Sequence, residues 1–548
     1  MRLRLIPLLL LQTVHASTSC MGAGGEPTVL TVGASQAFAT LSAAMTAAES
    51  STGDIEIRLA AGDHDLSQES VEVTWDHDCE RRLTITGATG GGEVRILGGV
   101  PVSHSALTSD DPAYSAIPAG ARASVRVAVL DGVQLGLTGQ LTSVEGEPVE
   151  FLKVSEEVAY ANMPLEPFLG RTPLWSAQWP NRIASPPENT TNYAWTRVAG
   201  PPTTDSTSAD TQQIAFPHLS SAPFGAWSDW DDVYAQGFWE VDWIEAFLPV
   251  SLDSRADHLE LTFPVGGGEG EMQSVSEGSR FAVLNSFDSL DAPSEYVLKR
   301  NPLSGASDSP SAASGARLYF IPPAEHAGAS TELIVSTNSD PLISLSQVRG
   351  VTISHLTFEG TRGAVMAISD SCDVEVVHIV CNNVGTNGVE DGSGTNIHVN
   401  RSVFTNMGRR AVSLSGGNRA SLTPSGNVIG HNEVSRSPRR SLHYGEAFDL
   451  GGVAVVATSN LVYNSPCATF ELVGNDHVIE YNTIHHVALD SFDTGAIHWA
   501  AYSPASWGFL IRHNLLAYVG YKDNACSAST SCMVAGIYAG GEDSASIL

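Results

Sequence analysis

Three short segments of the chain look alike and carry side chains able to move protons: AFDLGG, TFELVG and AIHWAA. Each sets a large apolar residue before a chemically equipped one. The pairs are Phe448-Asp449, Phe470-Glu471 and Ile497-His498. AVMAIS, GVEDGSG and AVSLSGG precede them, and GIYAGG follows. On strands of period two, Val365, Val412, Phe448, Phe470, Ile497 and Ile537 point inward. The outward column then reads Met366, Glu390, Ser413, Asp449, Glu471, His498 and Tyr538. Parallel strands stack about 4.8 Å apart, so one step nearly matches the ~5–5.5 Å between carboxylates of a retaining glycosidase, and two steps reach the ~6.5–9.5 Å of an inverting one. His498 and Tyr538 are placed to orient substrate hydroxyls or tune a carboxyl pKa. Just upstream, DSFDTGAIHW adds Asp490 and Asp493. An Asp before Thr-Gly also suits an Asx-turn, and strict alternation sends Trp499 inward.

These residues need a scaffold that repeats. VTISHLTF, VEVVHIVC, IHVNRSVF, VIGHNEV, VATSNLV, VIEYNTI and FLIRHNLL superpose, with anchors at Leu356, Ile379, Ser402, Asn432, Asn460, Asn482 and Asn514. A repeat near 22 residues, with longer loops in some turns, predicts an all-β fold, a right-handed parallel β-helix. The recurring Asn is expected to form a hydrogen-bonded ladder, a structural role. Near the N-terminus, Phe38, Leu41, Met45 and Ala48 share one helical face, and DIEIRLAAGDHDL, LTITGA and VRILGG read as first coils. Between about 120 and 260 the rhythm breaks. Trp175, Trp179, Trp195, Trp227, Trp230, Trp239 and Trp243 mark an inserted β-rich domain, its tryptophans chiefly core. The expected organisation is 1–16 a signal peptide, 28–120 the cap and first coils, 121–260 the insertion, and 261–548 the main β-helix.

The charge balance excludes several partners. The 548 residues carry 60 Asp and Glu against 28 Lys and Arg, a formal charge of −32. Nucleic acid and anionic membranes both demand dense basic surface, so neither is expected. MRLRLIPLLLLQTVHAS has the basic start, short apolar stretch and small residues of a secretory signal, which predicts an extracellular protein, and a monomer is expected. Of seven cysteines, Cys526 with Cys532 is the best disulfide pair and Cys372 with Cys381 a weaker one. Asn189 and Asn400 begin N-glycosylation acceptor motifs. Residues 401–440 hold seven arginines, Arg410 among them, against Glu433 alone. That stretch reads as solvated loop charge or as a patch for an acidic polysaccharide. His485 and His486 are adjacent, so on a strand they should face opposite ways and share no metal.

The run GNRASLTPSGNVIGHNEV and the longer LVYNSPCATFELVGNDHVIEYNTIHHVALDSFDTGAIHW resemble the secreted β-helix proteins of glycoside hydrolase family 141 and their relatives. FDSLDAPSEYVLKRNP…GARLYFIPP and MPLEPFLGRTPLWSAQWPN resemble the passages around that group's inserted β-sandwich-like domain. The resemblance covers nearly the whole mature chain. It implies hydrolysis of cell-wall glycans, with fucosidase and xylanase the activities linked to the family, and no cofactor. The family's acidic site pairs an Asp in Ser-Asp-Ala-Gly-Ala-Ile-Tyr with an Asp after Gly-Ile-Tyr one coil later. FDTGAIH carries the first role to Asp493. Gly536-Ile537-Tyr538 opens the second, and AGGEDSAS then offers Glu542 and Asp543 after a two-residue insertion. Relatives continue with more coils where this chain stops, so its solenoid is expected to be incomplete. The expected site is therefore Asp493 with Asp543 or Glu542 as catalytic carboxylates, and Asp449, Glu471, His498, Tyr538 and Arg410 as substrate contacts. A polysaccharide lyase or uronate epimerase using Ca²⁺, and an inactive glycan-binding solenoid, are the competing functions.

Overall fold

The computed structural model describes residues 25–540, apart from 76–80, 89, 132–164, 184–192, 208–210, 244, 256, 265–273, 300–313, 328–330, 441, 443, 501–505 and 521–532. The signal segment, Asn189, Cys526, Cys532, Glu542 and Asp543 lie outside the described residues.

Short alternating strands such as IEIRL and LTITG bury every second side chain, so each needs a neighbour above and below. The chain meets this need with three long parallel sheets of ten, nine and nine strands. Each coil contributes one strand to each sheet, giving a right-handed parallel β-helix. Sheet I runs from Thr28–Val32 to Leu510–Arg512, sheet II from Gly62–Asp65 to Leu515–Val519, and sheet III from Val71–Val73 to Val534–Gly540. The inward residues form one continuous core, in which Phe448 and Phe470 stack with ring centroids 5.2 Å apart. Trp499 joins that core, as alternation requires. The helix Leu41–Glu49 buries Leu41, Ala44, Met45 and Ala48, and the Thr40 side chain accepts from the Ala43 amide to cap it.

The corner between sheets I and II repeats a backbone device. His355, His378, Arg401, His431, Ser459, Tyr481 and His513 all have φ between 50° and 58°. The left-handed conformation costs non-glycine residues about 1–2 kcal/mol each. The residue that follows helps to offset it. Asn460 accepts from the Asn432 amide at 3.0 Å and donates to the Ile429 carbonyl at 3.0 Å. Asn482 serves Asn460 likewise, at 2.9 Å, and Asn514 serves Asn482 at 2.9 Å. The sequence expectation of an Asn ladder holds link by link.

A second body interrupts the solenoid without breaking its stack. Leu83–Gly87 pairs directly with Arg349–Ser354, and Val94–Leu97 with Thr357–Glu359. Between them lie sheets of largely antiparallel pairing that run from Gly99–Val102 to Leu333–Ser336. The sequence rhythm placed the return to coils at 261. The strands Arg280–Leu284, Glu295–Lys299 and Ser314–Phe320 instead belong to this body, and coils resume at Ile343–Ser346. Arg280–Leu284 and Glu295–Lys299 are buried at every position, so their pattern cannot be told from that of a solenoid strand. Trp239 and Trp227 are core residues here, and Trp179 and Trp230 pack against the same cluster. Cys372 and Cys381 are both free thiols. Cys372 receives a hydrogen bond from Arg349 Nε at 2.7 Å on sheet I, while Cys381 is sealed in the core from sheet II. One turn separates them, and it aims their side chains apart.

Candidate functional site

The outward column of sheet III is Ser344, Ala367, Glu390, Ser413, Asp449, Glu471, His498 and Tyr538, in direct register from coil to coil. One expected member changes. Met366 pairs with Val389 and is fully buried, so Ala367 takes the outward place. AVMAIS has apolar residues on both faces, which hid the register by one.

Four carboxylates gather at the C-terminal half of the column. Asp449 Oδ2 lies 2.8 Å from Arg410 Nη1 and accepts from Ser413 Oγ at 3.0 Å. Glu471 Oε2 is 2.5 Å from His498 Nδ1. The His498 ring lies 5.2 Å from that of Tyr538, whose hydroxyl donates to Asp493 Oδ1 at 2.5 Å. Glu446, which the sequence reading passed over, is the fourth. It is buried, 3.4 Å from Arg410 Nη2, with Cys467 Sγ 4.0 Å away. It stands two residues before Phe448, the place Arg410 holds before Val412, so repeat phase was the signal that could have found it. Thus Arg410, Asp449, Glu471, His498, Tyr538 and Asp493 come together. Asp493 sits at φ 53°, which turns its carboxylate into the cluster from the start of the strand Thr494–Ala500.

The electrostatics divide the cluster. Burial pushes the Glu471 carboxyl above its ordinary value, and the charges of Glu446 and Asp449 add to that; His498 opposes them. Burial alone would lower the His498 imidazole. Its bond to Glu471 and the charges of Glu471, Glu446 and Asp493 outweigh burial and raise it. The Glu471–His498 pair therefore holds its proton tightly, while Asp449 faces a guanidinium across 2.8 Å. A carboxyl raised by burial and bonded to a histidine, and a carboxyl facing a guanidinium, sit one coil apart.

Asp490 goes elsewhere. It is buried, 2.6 Å from Arg280 Nη1, and accepts from Trp195 Nε1 at 3.2 Å, so it joins the solenoid to the antiparallel body. The arginine-rich stretch divides: Arg401, Arg419 and Arg436 are exposed, while Arg410, Arg439 and Arg440 pair with acids. Arg439 binds Glu166, Arg436 binds Asn406 and Thr405, and Arg419 binds Asn475. Local sequence shows no acid beside these arginines because several partners come from distant coils or the other body. His485 and His486 do meet, with Nδ1 atoms 2.7 Å apart. The left-handed φ of 56° at His486 ends the strand's alternation. Among the described residues no group of three or more His, Cys, Asp or Glu side chains is arranged to hold a metal ion.

No family profile matches the chain, and no curated protein matches it. Among solved structures it is similar to a protein described as a glycoside hydrolase, at 12% identity over 94% of this chain and 95% of that one, with a TM-score of 0.54. A solved complex of XylC with xylose matches at 10% identity, over 93% of this chain and 68% of that one, with a TM-score of 0.39. At such identity the first likeness establishes the fold.

Proposed function

We propose that this chain is an exported glycoside hydrolase that cleaves cell-wall polysaccharide at the outer face of sheet III. One observation carries the reading. Asp449 and Glu471 stack one coil apart in different environments, Asp449 against the Arg410 guanidinium and Glu471 raised by burial against His498, an arrangement suited to two carboxyls with two roles. Glu471 acts as general acid on the glycosidic oxygen, with His498 holding its proton in place. Asp449 attacks or stabilises from the other side, and Arg410 and Ser413 fix its orientation. A single step of about 4.8 Å favours the retaining course. The basic start and short apolar run of residues 1–16 support export.

A second pairing has its own support. Asp493 carries the FDTGAIH resemblance and is held by Tyr538 opposite the same Glu471–His498 pair. In that version Asp493 replaces Asp449 as the ionised partner, and Glu542 or Asp543 extends the site beyond the described residues.

The test is a screen of cell-wall polysaccharides by reducing-end release, with and without chelator, on the wild type and on Glu471→Gln, Asp449→Asn and Asp493→Asn. Chelator-insensitive release that Glu471→Gln abolishes is expected. The Asp variant that falls as far as Glu471→Gln identifies the partner. Chelator-sensitive release of unsaturated sugars would instead establish a Ca²⁺-dependent lyase. Binding without turnover would mark a glycan-binding solenoid.

A further inference from the structure

Between Glu433–Ser435 of sheet II and Phe448–Leu450 of sheet III, the chain touches the antiparallel body before it reaches the outer column. Arg439 and Arg440 hold Glu166 of that body, at 2.8 and 3.1 Å. The Leu442 amide donates to Glu245 at 2.5 Å, and its side chain is sealed against Tyr193 and Phe238. Two residues on, the Tyr444 ring meets Trp243 of the body edge to face, with ring centroids 6.4 Å apart. Two more residues bring the chain to Glu446, whose carboxylate faces Arg410 beside Asp449. An extended chain covers about 7 Å in two residues, so the aromatic pair stands at the flank of the acidic cluster.

The pair differs from the core aromatics around it. Trp239, four residues before Trp243, is fully buried, whereas Trp243 and Tyr444 are only half-buried. Tyr444 has φ 47°, as Asp493 has 53°, and both stand just before strands of sheet III. A bulky residue in that region is an outlier, and strain of this kind gathers at binding and active sites. The surroundings hold it there. Arg409 Nε donates to the Tyr444 carbonyl at 3.1 Å, and Arg410, next in sequence, holds Asp449. On the other side, Asp242 precedes Trp243 and lies 3.4 Å from Arg280 Nε, and Arg280 Nη1 reaches Asp490 at 2.6 Å. Asp490 in turn leads the chain to Asp493. Both backbones are therefore fixed to the two approaches of the site, and both rings keep open surface.

We propose that Trp243 and Tyr444 form an aromatic subsite that holds one pyranose ring of the polysaccharide beside the point of cleavage. The inference rests on the proposed function, and it gives the antiparallel body a part in binding substrate. One face of a pyranose is lined with C–H groups and is apolar. It matches an aromatic face, while the hydroxyls at the ring edge stay in water. Trp243 is the specificity-determining residue of the pair, because it alone comes from the antiparallel body.

The experiment is calorimetric titration of the full chain carrying Glu471→Gln with xylohexaose, cellohexaose and mannohexaose. Binding of at least one is expected. Adding Trp243→Leu, which keeps apolar volume but loses the flat ring, should weaken that binding about tenfold with Tm unchanged. Trp243→Phe should retain most of it. Binding of none of the three sugars, or undiminished binding with Trp243→Leu, overturns the proposal. If Trp243→Leu does not fold, crystals of Glu471→Gln with the bound hexasaccharide decide: a sugar ring against Trp243 and Tyr444 supports the subsite, and binding only elsewhere overturns it. Cleavage abolished by Glu471→Gln with binding unmoved by Trp243→Leu keeps the hydrolase and removes the subsite. Cleavage that survives Glu471→Gln with binding lost in Trp243→Leu keeps the subsite and removes Glu471 as the acid.

Discussion

Two polar columns climb this solenoid, and they obey different rules. At the corner of sheets I and II, Asn432, Asn460, Asn482 and Asn514 repeat one residue type, and each amide is spent on its neighbours. On the outer face of sheet III, Ser413, Asp449, Glu471, His498 and Tyr538 are all different, and they remain partly exposed. Both columns use the same coil step. A ladder of like groups closes on itself and exports nothing. A stack of unlike groups leaves charges and protons unevenly shared, which is what a reaction can use. Identity of repeat therefore marks structure, and difference within the repeat marks chemistry.

Variants that conserve shape should separate the two columns most sharply. Glu471→Gln removes the shared proton and leaves the fold. Polysaccharide cleavage should drop ~10²–10⁴-fold, the range for a lost general acid, while Tm holds or rises because a half-buried ionisable group is gone. Initial rates and a melting curve on the same preparation check it. A large fall in Tm would return Glu471 to the structural column.

Asp490 and Asp493 stand three residues apart and repeat the contrast in miniature. Asp490→Asn takes one of two carboxylates from buried Arg280 and leaves Asp242 3.4 Å from its Nε, so the loss should fall somewhat below the ~3–5 kcal/mol of a fully broken buried pair. Denaturant unfolding should show it, with the remaining folded protein keeping its turnover. Asp493→Asn should do the reverse, since Asp493 is half-buried and its partner is the Tyr538 hydroxyl. Within the ladder, Asn460→Ala removes the acceptor of the Asn432 backbone amide in the core, at about 1–3 kcal/mol for a buried group left unpaired. The melting temperature should fall and activity per folded molecule should not.

The ladder and the inward core were legible because they repeat: one Asn or one large apolar residue per coil fixes the phase. The column on sheet III was legible from Glu390 onward for the same reason. Its first step was lost at Met366, where both faces are apolar. Glu446 was lost because it precedes the strand, where alternation no longer sorts residues by face. Asp490 and the arginines of residues 401–440 take several of their partners from distant coils or the antiparallel body, and no local pattern reports a contact of that length. The left-handed turn at His486 is equally silent, since φ above zero at a histidine has no side-chain signature in sequence. Chemistry shared between adjacent coils could be read, and contacts between the two bodies could not.

The smallest expected effect asks which partner owns the proton in the Glu471–His498 pair. Both groups titrate above their ordinary values. For Glu471 the folded value lies above the unfolded one, so its contribution to stability declines as pH rises out of the usual carboxylate range. For His498 the stabilising contribution is complete below about 6.5 and disappears as pH climbs through the raised folded value. The two act in the same direction, and stability should fall from mildly acidic toward alkaline pH. His498→Gln removes the cation that draws the Glu471 value down. If Glu471 is the acid, the alkaline limb of kcat/KM should move to higher pH, with kcat reduced about tenfold by the lost orientation. If His498 is the acid, that limb should vanish with the imidazole. A pH–rate profile of this one variant therefore assigns the proton, and a profile identical to the wild type would remove both residues from the chemistry.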